Sequence, residues 1–138
     1  MEINNRLSFA PLSHMHSANG FKLEKVSYRI VGRVYFRRKT FFGWTKWKKR
    51  WMELQNDKIL FYKWDAKRGH YCRFKIVLNH PDKKYILNGV SCKDDMYTFT
   101  LQRDGRRILM IRTPDDTALS ILYPELDDKV KKSYFNIL

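Results

Sequence analysis

The chain is poor in acid, in cysteine and in long apolar runs. Its 138 residues carry 14 Asp plus Glu against 28 Lys plus Arg, a formal net charge of +14 with His neutral. Self-repulsion of that size works against a compact chain unless a polyanion relieves it, so nucleic acid, an anionic membrane or an acidic protein is the expected partner. Cys72 and Cys92 are the only cysteines and no charged-then-apolar leader is apparent, which excludes a disulfide framework and leads us to expect a reducing, cytoplasmic setting. No apolar run approaches the roughly 18–20 residues that span a bilayer, and neither a Met-Gly start nor a C-terminal Cys box marks a lipid anchor. Membrane contact is therefore expected to be peripheral, on the cytosolic face.

Catalytic groupings are missing as well. There is no recognisable Ser-His-Asp arrangement, glycine-rich phosphate loop or paired acidic cluster. His14 and His16 fall in an unpatterned N-terminal stretch, while His70 and His80 are isolated, so no metal-ligand set emerges. Asp94-Asp95, Asp115-Asp116 and Asp127-Asp128 suit turns and helix ends. The expectation is a non-enzymatic protein with no cofactor and no metal.

What is abundant is aromatic and alternating. Aromatic residues make up 15% of the chain, which separates it from a disordered basic tail. Residues 1–20 show no period and are expected to form a flexible lead-in, followed by an ordered domain over 21–123 and a helical extension over 124–138. From Val26 to Phe36 the apolar residues fall on even numbers and Arg29, Arg33 and Arg37 on odd ones, the period of a strand, with Gly32 a candidate bulge. Further strands are expected over 47–54, 59–64, 71–78, 84–87, 97–102 and 107–112, separated by turn residues. Asp104-Gly105, between two alternating segments, is the signature of a two-residue primed hairpin turn.

Seven short strands predict an antiparallel sandwich or barrel. A closing helix is expected from Thr113-Pro114-Asp115-Asp116, with a hydroxyl cap, an early Pro and acids at the positive end of the dipole. Leu119, Leu122, Leu126, Val130, Tyr134 and Ile137 recur at steps of three and four along it. Pro124 within that stripe predicts a kink or two helices. Beyond Pro124 the stripe would be free to meet a protein partner if it failed to reach the barrel.

Gly32-Arg-Val-Tyr35, then Trp47-Lys-Lys-Arg-Trp-Met-x-Leu54, then Ile59-Leu-Phe-Tyr62, resemble the first three strands of a pleckstrin homology (PH) domain in order and spacing. The resemblance covers roughly Val26 to Leu122. It implies a bent seven-stranded barrel capped by a C-terminal helix and, as in many members, recognition of phosphoinositide headgroups at the mouth beside the first two strands. The family's basic-x-Arg pair in the second strand is matched by Lys48 and Arg50, whereas direct alignment puts Phe36 at the first-strand position usually held by Lys. The family's Trp in the final helix has no counterpart in Thr117–Tyr123, where a leucine or Tyr123 would fill its place. By resemblance Tyr62 is expected on the inward face of the third strand and Arg68 in a loop, both as phosphate contacts.

Strand parity supplies the missing cation. If Val34 and Phe36 face inward, so does Arg38, and inward Met52 and Leu54 place Lys48 and Arg50 on the same side. Lys39 fits the looser spacing Lys39-x8-Lys48-x-Arg50, and Lys46 stands beside the pair. From Lys22 to Arg50 there are eleven Lys or Arg against Glu24 alone, a net +10 in one hairpin and its approach. Each basic group at an anionic leaflet contributes on the order of 1 kcal/mol. Phe41, Phe42 and Trp44 interrupt this basic hairpin, and aromatic side chains favour the bilayer interface, so the three are expected to insert. A nucleic-acid-binding barrel would use the same residue types, but no RNP-type motif is present and the charge is concentrated rather than spread along a groove. The remaining alternative is a barrel of this kind that binds protein and has no specific lipid.

Overall fold

A computed structural model describes residues 23–26, 29–114 and 116–137. The expected flexible lead-in over 1–20 lies outside these. Among the described residues ten strands form one antiparallel sheet: β1 (Glu24–Val26), β2 (Arg29–Thr40), β3 (Gly43–Trp44), β4 (Lys48–Leu54), β5 (Lys58–Asp65), β6 (Gly69–Val77), β7 (Tyr85–Leu87), β8 (Ser91–Lys93), β9 (Met96–Arg103) and β10 (Arg106–Thr113). Seven of them follow the order β6-β5-β4-β2-β10-β9-β7, with β1 and β3 appended to β2 and β8 to β9. The sheet curls on itself but does not close, since β6 and β7 end the order unpaired with each other.

The alternating pattern of β2 and β4 sets the core. Ile30, Val34 and Phe36 of β2, Met52 and Leu54 of β4, Ile59 and Phe61 of β5, Phe99 and Leu101 of β9, and Leu109 and Ile111 of β10 are buried together. At one end of this core Phe36 stacks on Phe61 with ring centroids 4.2 Å apart, and Phe74 lies 6.1 Å from Phe36. The opposite face of β2, β4 and β5 carries a second buried group, Val31, Trp51, Leu60 and Tyr62. Glu53 is fully buried on that face, where Arg29 Nη1 donates to Oε2 at 2.9 Å and Gln55 Nε2 donates to Oε1.

Asp104 and Gly105 adopt φ of 52° and 83°, as a primed turn between β9 and β10 requires. Gly32 makes no bulge, because β2 and β4 pair without a break from Ile30↔Leu54 to Phe36↔Lys48. Instead the ladder slips at two other places: Arg73 is the extra residue where Phe61↔Phe74 gives way to Tyr62↔Cys72, and Ile108 is the extra residue between Arg107↔Gln102 and Leu109↔Leu101.

After β10 a 3₁₀ turn (Asp116–Leu119) leads into α1 (Leu122–Ile137). Thr113 ends β10 and is buried, so the α-helix expected from there begins later, at Leu122. Pro124 falls within the first turn of α1, where a missing N–H deprives no carbonyl of a partner, so it starts the helix and does not break it. Leu122, Leu126 and Val130 enter the main core and Tyr123 stacks on Phe99 at 6.0 Å, while Leu119 remains largely exposed. Leu122, Leu126 and Val130 of the apolar stripe are thus covered by the barrel and are not free to meet a partner. The side chains of Tyr134 and Ile137 lie outside the described residues.

Candidate functional site

The long strand β2 runs past the core, and its last inward position is Arg38, which pairs with Leu109 of β10. Its backbone is tied to the next hairpin strand through Thr45, whose N–H donates to Arg38 O at 2.9 Å and whose Oγ1 accepts from Arg38 N–H at 3.1 Å. Across the ladder Lys48 stands opposite Phe36 and Arg50 opposite Val34. Cross-strand partners share a face, so all three cations lie on the core side of the sheet at the open end of the barrel. Arg38 is anchored there by its guanidinium, 4.6 Å from the Phe74 ring.

Two further cations join them. The Lys48 ammonium is held below the ordinary lysine range, first by partial desolvation and then by the fields of Arg50, Arg38, Arg73 and Lys63. Lys63 lies two residues beyond Phe61 and so on the core face of β5, whereas Arg73 is the bulged residue of β6. Arg38, Lys48, Arg50 and Lys63 thus share the core face of the sheet, with Arg73 near enough to act on Lys48. Arg50 Nη1 donates to Lys49 O at 2.8 Å, and its buried Nε has no hydrogen-bond partner among the described residues.

Tyr62 is not part of this group. Phe61 takes the core face, so Tyr62 turns to the other side of the sheet, opposite Trp51 and buried with it. Arg68 sits in the β5–β6 turn, with its guanidinium 3.9 Å from the Tyr71 ring and 3.6 Å from Asp65 Oδ2. Asp65 is held below the usual carboxylate range, first by the Lys67 N–H and then by the N–H and charge of Arg68. Arg68 is not among the cations that act on Lys48. Lys46 and Lys39 are exposed, Lys46 between β3 and β4 and Lys39 near the end of β2.

The aromatics of the hairpin divide into two kinds. Phe41 and Phe42 are 96% and 95% exposed at the tip and meet edge to face at 5.3 Å. Thr40 sets this tip: its Oγ1 donates to Gly43 O at 2.8 Å and accepts from Phe42 N–H at 3.2 Å, while Gly43 takes a φ of 111° open to glycine. Trp44 instead folds back. Arg37 lies 5.1 Å from the Trp44 ring and 4.7 Å from Trp47, and Arg112 lies 4.2 Å from Trp47 and 5.8 Å from Tyr35. This alternating ladder of rings and guanidinium groups braces the outer face of the hairpin, each exposed contact contributing about 0.5–1 kcal/mol.

No protein-family model matches the chain, and no curated protein matches it. Among solved structures it is similar to the Slm1 PH domain in complex with phosphoserine, at 12% identity over 70% of this chain and 91% of that one, with a TM-score of 0.50. It is also similar to the same domain in complex with inositol-4-phosphate, at 11% identity over 83% of this chain and 99% of that one, with a TM-score of 0.46. The molecule has a PH-like fold, mostly antiparallel sheet with one C-terminal helix. No helix among the described residues is long and apolar enough to cross a membrane.

Proposed function

We propose that this chain is a non-enzymatic module that binds phosphoinositide headgroups at the open end of the barrel and so attaches to the cytosolic face of a membrane. The observation that supports the proposal is the placement of Arg38, Lys48, Arg50 and Lys63 on one face of the sheet, with Arg73 close enough to act on Lys48. Inositol phosphates concentrate several negative charges on a small ring, and such a group of fixed cations answers them, Arg with a planar fork and Lys as a point charge. Like charges held together raise their own energy, and a bound polyanion relieves that repulsion. The Slm1 PH domain, of the same fold, carries a phosphate monoester in its phosphoserine complex. Lys39 and Lys46 extend the positive field toward the bilayer, and Phe41 and Phe42 enter between headgroups. Trp44 braces the hairpin that presents them. Tyr62 faces away from the core but lines a cavity of about 290 Å³ together with Arg50 and Lys63, at the edge of the proposed site, and Arg68 acts through its charge.

Sedimentation with vesicles tests this reading. Wild-type protein should bind phosphoinositide vesicles better than phosphatidylserine vesicles of equal charge, and Arg50→Gln should remove that preference. Equal binding to every anionic surface would leave electrostatics without a pocket. Displacement from the vesicles by single-stranded nucleic acid at lower concentration than by inositol phosphate would favour the nucleic-acid alternative.

A further inference from the structure

The unclosed sheet leaves a gap between its end strands β6 and β7, bridged by residues 78–84. Toward the helix this gap is filled, because Leu126 and Val130 of α1 enter the core beside Tyr85 of β7. Toward the mouth it opens into a cleft of about 390 Å³. Arg38, Lys39, Lys75, Lys83, Arg103 and His80 stand around it, over a floor that includes Phe74 and Ile108. Among the described residues no carboxylate lines it. Asp104 of the β9–β10 turn stands beside it, its Oδ1 accepting from Lys84 N–H at 3.0 Å. His80 Nδ1 accepts from Asp82 N–H at 3.1 Å, which leaves Nε2 as the nitrogen that carries hydrogen.

We propose that this seam cleft is a second phosphate-binding site, separate from the opening around Lys48, and that it takes a phosphorylated inositol ring. Two arginines supply planar forks, three lysines supply point charges and His80 supplies its Nε2 as a further polar group. A concavity walled by cations of one sign focuses field and raises the local concentration of anions. The apolar floor suits the C–H face of a sugar-like ring, and the volume of the half-open cleft suits a single small ring. Arg38 lines the cleft and also acts on Lys48, so the two sites adjoin and one protein would hold two headgroups side by side at a membrane.

Titration calorimetry with soluble inositol 1,4,5-trisphosphate at low salt tests the site directly. The wild-type chain should bind two molecules. Lys75→Gln/Lys83→Gln should bind one, Lys48→Gln/Lys63→Gln should bind one at the cleft, and Lys131→Gln/Lys132→Gln, a remote control of equal charge loss, should still bind two. On vesicles containing phosphatidylinositol 4,5-bisphosphate the Lys75/Lys83 variant should bind about fivefold more weakly than the control if the second ring belongs to a lipid, and equally if the cleft takes the free inositol phosphate. A wild-type stoichiometry of one, or two molecules still bound by the Lys75/Lys83 variant, would overturn the second site. Two molecules still bound by the Lys48/Lys63 variant would overturn the first site and leave the cleft standing.

Discussion

Lys48 shows how a surface residue acquires a function from its neighbours. It is exposed, yet partial desolvation and four nearby cations hold its ammonium below the ordinary lysine range. A bound polyanion would favour the charged form, so headgroup binding should be accompanied by proton uptake at alkaline pH. Affinity should therefore fall as pH rises through the lowered pKa of free Lys48, and Lys48→Arg should move that fall to higher pH. Calorimetry with soluble inositol phosphate across the alkaline range measures both. Glu53 makes the opposite case, a buried charge with a structural role. Burial raises its pKa against the lowering effects of Gln55 and Arg29. A raised folded-state pKa means that the fold binds the proton more tightly than the unfolded chain does. Its contribution to stability is then greatest below the unfolded value and is lost as pH rises through the raised one. Glu53→Gln should flatten this part of the pH dependence of urea unfolding, whereas Glu53→Ala, which removes the acceptor shared by Arg29 and Gln55, should cost roughly 1–3 kcal/mol.

At the scale of elements, the β2–β4 hairpin carries most of the proposed membrane contact. Its tip exposes Phe41 and Phe42, and its outer face is braced by the ladder from Tyr35 through Arg112, Trp47 and Arg37 to Trp44. Phe41→Ser/Phe42→Ser should weaken vesicle binding about tenfold or more, since full burial of one Phe contributes about 1.5–3 kcal/mol, while soluble inositol phosphate binds unchanged. Equal loss of both activities would contradict insertion. Arg37→Gln should loosen the brace, increase quencher access to Trp44 and Trp47, and lower vesicle affinity less than the Phe variants do. The placement of Arg38, Lys48 and Arg50 on one face was legible from period two alone, because β2 and β4 pair without a bulge. Lys63 could have been found the same way from Phe61, but reading Tyr62 as inward hid it. Arg73 could not, since a bulge breaks the period and neither glycine nor proline marks it in sequence. The back-folding of Trp44 is a tertiary contact with Arg37 that local pattern does not carry. Pro124 predicts a kink or two helices, and two helical segments form, with Pro124 in the first turn of the second; where that one begins is set by packing of Leu122 into the core.

Over the whole molecule, the excess of +14 becomes a pole rather than a coat. The basic hairpin, the bulged Arg73 and the seam cleft share the open end, and α1 fills the barrel between β7 and the core. Raising salt should therefore weaken attachment to phosphatidylserine vesicles steeply. The same salt should weaken binding to phosphoinositide vesicles less, because fixed, partly desolvated contacts are screened less than a diffuse field. The PH-like fold accounts for the scaffold, and the five cations account for the proposed specificity. Vesicle sedimentation of wild-type and Lys48→Gln/Lys63→Gln protein on phosphoinositide and charge-matched phosphatidylserine membranes at near-physiological salt tests that link most directly. The account predicts a wild-type preference for the phosphoinositide that disappears in the variant while residual binding to phosphatidylserine persists. A preference that survives in the variant, or one absent from the wild type, would contradict it.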